Sequence, residues 1–192
     1  MAETSPRRPV PWVTLLIAAL AIFLSFQPAM ADRLPYVRER VLAGEWWRMW
    51  SAHLVHFGPG HLGWNLLVFV PASAWAERLA PGRTRLLLAL APGFIGLALV
   101  AFDPTLTRYA GLSGLAASAL ALLAFLHLRA RDADRWFWGG VLGLLLVKIA
   151  AEAVLGQALF AHFATGEIQP VPLAHLAGIA AAAIAGWGRQ RG

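Results

Sequence analysis

The chain has 192 residues, of which 59% are hydrophobic and only 14% are charged. A soluble globular domain carries about 25% charged residues, so this composition excludes that class and indicates a membrane protein. The formal net charge of +6 would suit a nucleic-acid-binding protein. The arginines lie in the connections between apolar segments, however, so we expect no nucleic-acid partner. The sequence contains no cysteine, which excludes disulfide bonds.

Six apolar segments approach the length of roughly 20 residues that crosses a bilayer. In chain order they are Trp12–Met30, Leu62–Leu79, Leu86–Phe102, Leu112–Leu128, Trp136–Leu155 and Leu173–Trp187. They account for most of the chain and leave no room for a separate soluble domain. The sequence therefore predicts an all-α membrane protein, with residues 1–192 forming a single bundle of six transmembrane helices.

The first segment also has features of a secretory signal peptide. Arg7 and Arg8 precede an apolar core, and Ala29-Met30-Ala31 resembles a cleavage site. Because the apolar run is long for a signal peptide, we interpret it as the first span.

Basic residues are concentrated in alternate connections. These residues are Arg7 and Arg8, then Arg78, Arg83 and Arg85, then Arg129, Arg131 and Arg135, and finally Arg189 and Arg191. The other connections are poorer in base, although the longer segment Asp32–Gly60 has four arginines against three acids. The positive-inside rule predicts that both termini are cytoplasmic.

This orientation predicts that several polar residues meet near the external face. All even-numbered spans then begin outside, and their first turns contain His61 and Asn65, then Ser113, then His175. These four side chains should therefore lie at a similar depth. Helices four and six should also cross closely, because small residues follow both Ser113 and His175.

The four residue types suit acyl transfer. Serine becomes a good nucleophile when a base takes its proton, and histidine is the usual base at neutral pH. His61 and Asn65 are four residues apart, hence on one helix face, and with the backbone N–H groups of Leu112 and Ser113 they could stabilise an oxyanion. The even-numbered spans have no acid near their outer ends, so we predict a Ser113–His175 dyad rather than a triad.

Four short motifs, in this order, resemble those of rhomboid intramembrane proteases. They are Glu45-Trp46-Trp47-Arg48, His61-Leu62-Gly63-Trp64-Asn65, Gly111-Leu112-Ser113-Gly114 and Ala174-His175-Leu176-Ala177-Gly178. The similarity runs from about Gly44 to Ala182, and Ala182 stands where the family often has glycine. The resemblance implies a six-helix serine endopeptidase with Ser113 and His175 as its catalytic dyad. We expect structural support from the following residues: Gly111, Gly114, His56, Gly178, Lys148 and Glu152.

Within that family, the chain is most similar to the rhombosortase branch. Three features support this similarity: Pro104-x-Leu106-x-x-Tyr109 before Gly111, the pair Lys148 and Glu152, and the short length without a cytosolic domain. The branch implies a multi-pass protein of the bacterial plasma (inner) membrane whose site opens to the external or periplasmic side. It also implies a transmembrane substrate, namely a secreted protein with a C-terminal sorting tail. That tail has a Gly-Gly motif, an apolar span and basic residues.

Several residues have plainer interpretations. Lys148 and Glu152 are one helical turn apart, which favours a local ion pair over a role at the site. His53, His56 and His61 could suggest a metal, but no H-E-x-x-H motif or nearby acid accompanies them, so we expect no metal and no cofactor. We expect His56 to hold the shape of the first loop.

Two external connections have predicted roles. The tryptophan-rich first loop should lie in the headgroup layer, and Gly156–Pro172 should form a mobile lid that leads to His175.

Alternatives to a rhombosortase-like enzyme are a general rhomboid protease with other transmembrane substrates and a non-proteolytic client-binding relative. A transporter or channel is disfavoured, because it would need polar residues along a through-path. Water would give hydrolysis and an amine acceptor would give transfer, and both remain open.

Overall fold

The computed structural model describes residues 9–130, 133–159 and 170–187. The fold is helical, with one small sheet. The helices are α1 (Trp12–Ser25), α2 (Met30–Arg33), α3 (Arg38–Leu42), α4 (Arg48–Ser51), α5 (Pro59–Leu79), α6 (Pro81–Phe102), α7 (Ser113–Ala130), α8 (Arg135–Leu155) and α9 (Pro172–Trp187). A 3-10 turn covers Ala52–Leu54, and the two strands are β1 (Tyr36–Val37) and β2 (Arg108–Tyr109).

Each of the six predicted spans overlaps one helix, in chain order α1, α5, α6, α7, α8 and α9. Of these, α6, α7 and α8 are long and apolar enough to cross a membrane by length and composition, while α1 and α9 are shorter apolar helices. A membrane protein is therefore supported, and the count of six spans stays a prediction.

Prolines explain most of the differences between predicted and observed helix boundaries. Helices α5, α6 and α9 begin at Pro59, Pro81 and Pro172, ahead of the predicted leucines. A proline fits the first turn of a helix because its missing N–H would have no intrahelical partner there. Helix α1 ends at Ser25 rather than Met30, and Pro28 follows it.

Helix α7 is the centre of the bundle. It packs against α5, α6, α8 and α9. Most of its residues are buried, and many of them are alanine. Small side chains let neighbouring helices come close, so the helix that begins at Ser113 is surrounded on several sides.

The closest packing is between α7 and α9. A Cβ atom at Gly178 would overlap the carbonyl oxygen of Gly114 and would lie 2.7 Å from Ser118 Oγ. The two backbones can approach this far only because position 178 has no side chain. The predicted close crossing of helices four and six is confirmed.

A small antiparallel sheet ties the first loop to the segment that precedes α7. Its strands β1 and β2 pair Tyr36 with Tyr109 and Val37 with Arg108. Arg38, directly after β1, donates to the carbonyl oxygens of Leu99 and Val100 near the end of α6. Because each strand has only two residues, the sequence pattern did not predict this sheet.

The first loop exposes its tryptophans and buries its arginine. Trp46, Trp47 and Trp50 are about half exposed, whereas Arg48 is buried and donates to the carbonyl oxygen of Pro35. Exposed tryptophans are what a loop in the headgroup layer would show, and that position stays a prediction.

A buried carboxylate joins α1 to α5. Glu77 accepts hydrogen bonds from the backbone N–H and the hydroxyl of Thr14 and forms an ion pair with Arg85 at 2.9 Å. Its polar atoms have partners, as buried polar groups require, so its role is structural.

Replacement of Gly178 by alanine should destabilise the protein. The new methyl group would overlap the Gly114 carbonyl, and such overpacking costs about 1–3 kcal/mol. Thermal unfolding in detergent measures the loss. Gly143→Ala is the matched control, because a Cβ at that exposed α8 position meets nothing within 4 Å. Equal midpoints for Gly178→Ala and the wild type would contradict the packing interpretation.

Candidate active site

Ser113 is the first residue of α7, and the glycine two positions before it makes the turn into the helix. Gly111 has φ of +119°, a conformation that residues with side chains rarely adopt. Its N–H donates to the carbonyl oxygen of Ala52, and its own carbonyl accepts from the Tyr109 hydroxyl at 3.1 Å. Both backbone polar groups of Gly111 thus have a hydrogen-bonding partner, which fixes the segment just before Ser113.

Gly111 also makes room for two predicted oxyanion donors. A Cβ at this position would lie 2.8 Å from His61 Cε1 and 3.1 Å from Asn65 Nδ2. Any larger residue would push these side chains away from the start of α7. The support role predicted for Gly111 therefore has a steric reason as well as a conformational one.

The four predicted polar side chains line one cavity of about 370 Å³. They are His61 and Asn65 from α5, Ser113 from α7 and His175 from α9. Gly114 helps to bring the last two elements together, because a Cβ there would lie 3.3 Å from the carbonyl oxygen of Ala174. The residue next to Ser113 thus lies against the residue next to His175.

Among the described residues, three of these side chains carry a buried polar atom without a partner, His175 Nδ1 being one of them. The other two atoms are Asn65 Nδ2 and His61 Nδ1. A buried donor left unpaired costs about 1–3 kcal/mol. Such atoms in the wall of a cavity are suited to receive an acceptor oxygen from a ligand.

The N–H of Leu112, predicted as a further oxyanion donor, already has a partner. It donates to His56 Nε2 at 3.1 Å, and His56 Nδ1 lies 3.0 Å from Ser25 Oγ in α1. Burial lowers the pKa of His56 to about 3, so the ring is neutral at pH 7 and Nε2 can accept. His56 thus supports the segment before Ser113 directly, as well as the loop in which it lies.

Lys148 and Glu152 form the predicted local ion pair, with Lys148 Nζ 2.8 Å from Glu152 Oε2. Both also line the cavity, and the same Glu152 oxygen lies 3.7 Å from His175 Nδ1. The prediction of a dyad considered acids only on even-numbered spans. Helix α8 is the fifth span, and the predicted topology puts its C-terminal end outside. The predicted topology therefore places Glu152 at the same external face as His175, and this placement could have predicted their proximity.

Other predictions concern residues that lie farther from Ser113 or are only partly described. His53 is buried edge-on against the Tyr109 ring, and burial lowers its pKa to about 4. Within the described ranges, no group of three or more histidines and acids could hold a metal ion. Of the predicted lid, Ala158, Pro170 and Val171 line the cavity, and residues 160–169 lie outside the described residues.

The replacement His56→Leu should lower stability more than Ser25→Ala. It leaves the buried Leu112 N–H without an acceptor, which costs about 1–3 kcal/mol. Ser25→Ala removes only a part-buried hydrogen bond, worth about 0.5–1.5 kcal/mol. Thermal unfolding of both variants in detergent compares them. A smaller loss in His56→Leu than in Ser25→Ala would show that this link does not hold the segment before α7.

Comparison with known families identifies the chain. The family model described as Rhomboid domain matches residues 43–191, well over half of the chain. The match includes all four polar side chains that meet in the cavity. A comparison with curated proteins found no significant match. Rhomboid proteins are in general intramembrane serine proteases. This chain belongs to the Rhomboid family.

Proposed function

We propose that this protein is an intramembrane serine endopeptidase with Ser113 as nucleophile and His175 as general base. The observation that carries the proposal is the shared cavity of Ser113, His175, His61 and Asn65, which come from three different helices. The family supports a rhomboid-type protease in general. The residue roles are our assignment.

In the proposed reaction, His175 takes the proton of the Ser113 hydroxyl as its oxygen attacks a peptide carbonyl carbon. The carbonyl oxygen becomes an oxyanion, and His175 then gives its proton to the leaving amine as the peptide bond breaks. The product is an ester between Ser113 and the N-terminal part of the substrate. Water, activated by the same histidine, hydrolyses this ester and restores the serine.

The oxyanion donors in this scheme are the side chains of His61 and Asn65 and the backbone N–H of Ser113. Both side chains offer buried nitrogens that lack a partner among the described residues. We leave out the Leu112 N–H, because it donates to His56. Donors that are already in place stabilise the developing charge without reorganisation.

A second cavity offers the substrate a way to the site from the lipid. It has a volume of about 650 Å³ and a mainly apolar wall that includes Val68 of α5, Leu120 of α7 and Leu144 of α8. It also reaches Ser113 and His175. We propose that the apolar segment of a substrate lies here, between α5 and α8, while its scissile bond extends to Ser113.

For the substrate, we propose a secreted protein whose C-terminal sorting tail has a Gly-Gly motif before an apolar span, as for rhombosortases. A substrate helix must unwind before its carbonyl groups are accessible, and glycine lowers helix stability by about 1 kcal/mol relative to alanine. The motif Pro104-x-Leu106-x-x-Tyr109 also supports this branch. The corresponding location is a bacterial plasma (inner) membrane, with both termini cytoplasmic and the cavity open to the periplasmic or external side.

The variants Ser113→Ala and His175→Ala should each abolish cleavage of a Gly-Gly-tailed membrane substrate by the purified protein. A fluorophosphonate probe should label Ser113 in the wild type, with or without a chelator, and should not label Ser113→Ala. Ser118→Ala is the matched control, because Ser118 lies on the same helix, does not line the cavity and donates to the Gly114 carbonyl. Equal product from all variants would exclude the protease.

The same assay separates the alternatives. Cleavage of transmembrane substrates with and without Gly-Gly at equal rates would favour a general rhomboid protease. Binding of clients without labelling or cleavage would favour a non-proteolytic relative.

Removal of the proposed oxyanion donors should slow catalysis without weakening substrate binding. Loss of one such donor costs a factor of about 10²–10³ in kcat, so we expect this loss for Asn65→Ala and for His61→Ala. KM should change little, because the interaction forms only in the transition state. Leu67→Ala, on the exposed face of the same helix, is the control. Unchanged kcat in Asn65→Ala and His61→Ala would remove the two side chains from the mechanism.

A further inference from the structure

We propose that Glu152 is a positioning residue that orients the His175 imidazole and stabilises its protonated form, so that the working unit is Ser113, His175 and Glu152. This inference rests on the proposed function and adds a third residue to the dyad that the sequence predicts.

The geometry places an acid beside one of the two ring nitrogens of His175. Glu152 Oε2 lies 3.7 Å from His175 Nδ1, and both side chains are less than 10% exposed. Nδ1 has no hydrogen-bonding partner among the described residues. If Nδ1 interacts with Glu152, Nε2 is the nitrogen left to serve Ser113.

The separation is longer than a hydrogen bond by less than about 1 Å, since N–H···O bonds span about 2.7–3.2 Å. In the absence of substrate, catalytic hydrogen bonds are often long and tighten only when the complex forms. A small side-chain adjustment would therefore complete the contact.

Glu152 is held in place by two further groups. Its Oε1 accepts a hydrogen bond from the Leu159 N–H at 3.1 Å, and Lys148 pairs with Oε2. Lys148 thereby places a positive charge directly beside the buried carboxylate. The local ion pair explains how the charges of Lys148 and Glu152 offset each other. It does not account for the position of the pair beside His175.

The chemistry gives the carboxylate two effects. An Nδ1–H that points at Glu152 leaves Nε2 unprotonated, which is the tautomer that can accept the serine proton. Once the proton has moved, the negative carboxylate favours the imidazolium. Lys148 on α8 acts in the opposite sense. Among the described residues, His61 on α5 and Arg108 and Tyr109 of β2 are further titratable or charged groups that line the cavity with His175.

The test compares Glu152→Gln with a matched change elsewhere. Glu77→Gln makes the same replacement at a second buried glutamate, which pairs with Arg85 and does not line the cavity. Glu152→Asp keeps the charge. Kinetics with the Gly-Gly-tailed substrate are normalised to the number of protein molecules that a fluorophosphonate probe labels, which corrects for any unfolded fraction.

We expect Glu152→Gln to lower kcat per labelled site on the order of 100-fold with little change in KM, because orientation and charge both act on the transition state. The fall of activity on the acid side should move to lower pH, since an imidazolium without its carboxylate releases its proton more readily. Glu152→Asp should lie between Glu152→Gln and the wild type. Glu77→Gln should change only the amount of folded protein.

The inference is overturned if Glu152→Gln keeps the wild-type kcat and pH profile per labelled site, or if Glu77→Gln changes them as much. If Glu152→Gln does not fold, Glu152→Asp decides alone, and wild-type kinetics in that variant overturn the inference. An NMR titration of the His175 ring gives a readout without catalysis. A midpoint that moves in Glu152→Gln while the wild type neither cleaves nor reacts with the probe would refute the protease and retain the His175–Glu152 contact.

Discussion

The arrangement of the site depends on the close approach of two helix backbones. Gly178 of α9 lies against the carbonyl of Gly114 in α7, and Gly114 in turn leaves room for the carbonyl of Ala174. The residues next to these contacts are Ser113 and His175. Both are carried on well-packed helices, so their relative position is set by backbone packing rather than by a flexible loop. Such rigid support is what precise catalytic geometry requires.

The segment before α7 is held by contacts from distant parts of the chain. The first loop supplies the Ala52 carbonyl, His56 and the strand that pairs with β2, while α1 supplies Ser25. The Ala52 carbonyl and His56 accept from the N–H groups of Gly111 and Leu112, which would otherwise be unpaired at a helix start, and Ser25 hydrogen-bonds the other nitrogen of the His56 ring. The first loop therefore acts as a structural support for the residues before Ser113.

Among the described residues, the buried carboxylates of Glu77 and Glu152 illustrate how a polar group in a membrane protein can be assigned to structure or to chemistry. Glu77 accepts two hydrogen bonds from Thr14 of α1 and pairs with Arg85 of α6, away from the cavity. Glu152 pairs with Lys148, yet one of its oxygens also lies 3.7 Å from His175 Nδ1, which has no hydrogen-bonding partner within the described ranges. Because both oxygens of the Glu77 carboxylate have partners, its role is in stability. Glu152 lies in the cavity wall and can make a further interaction with His175.

The sequence by itself indicated that the protein lies in a membrane, and it predicted the approximate positions of the six apolar helices. It also predicted that four polar side chains would lie close together, namely Ser113, His175, His61 and Asn65. Apolar length and the placement of arginines carry this information locally, since each span is recognisable without its neighbours. Only the tertiary structure decided that the Leu112 N–H bonds to His56, that β1 pairs with β2 and that Glu152 lies beside His175. Those contacts join residues that are far apart in the chain, and their formation depends on helix rotation and packing, which hydropathy does not encode.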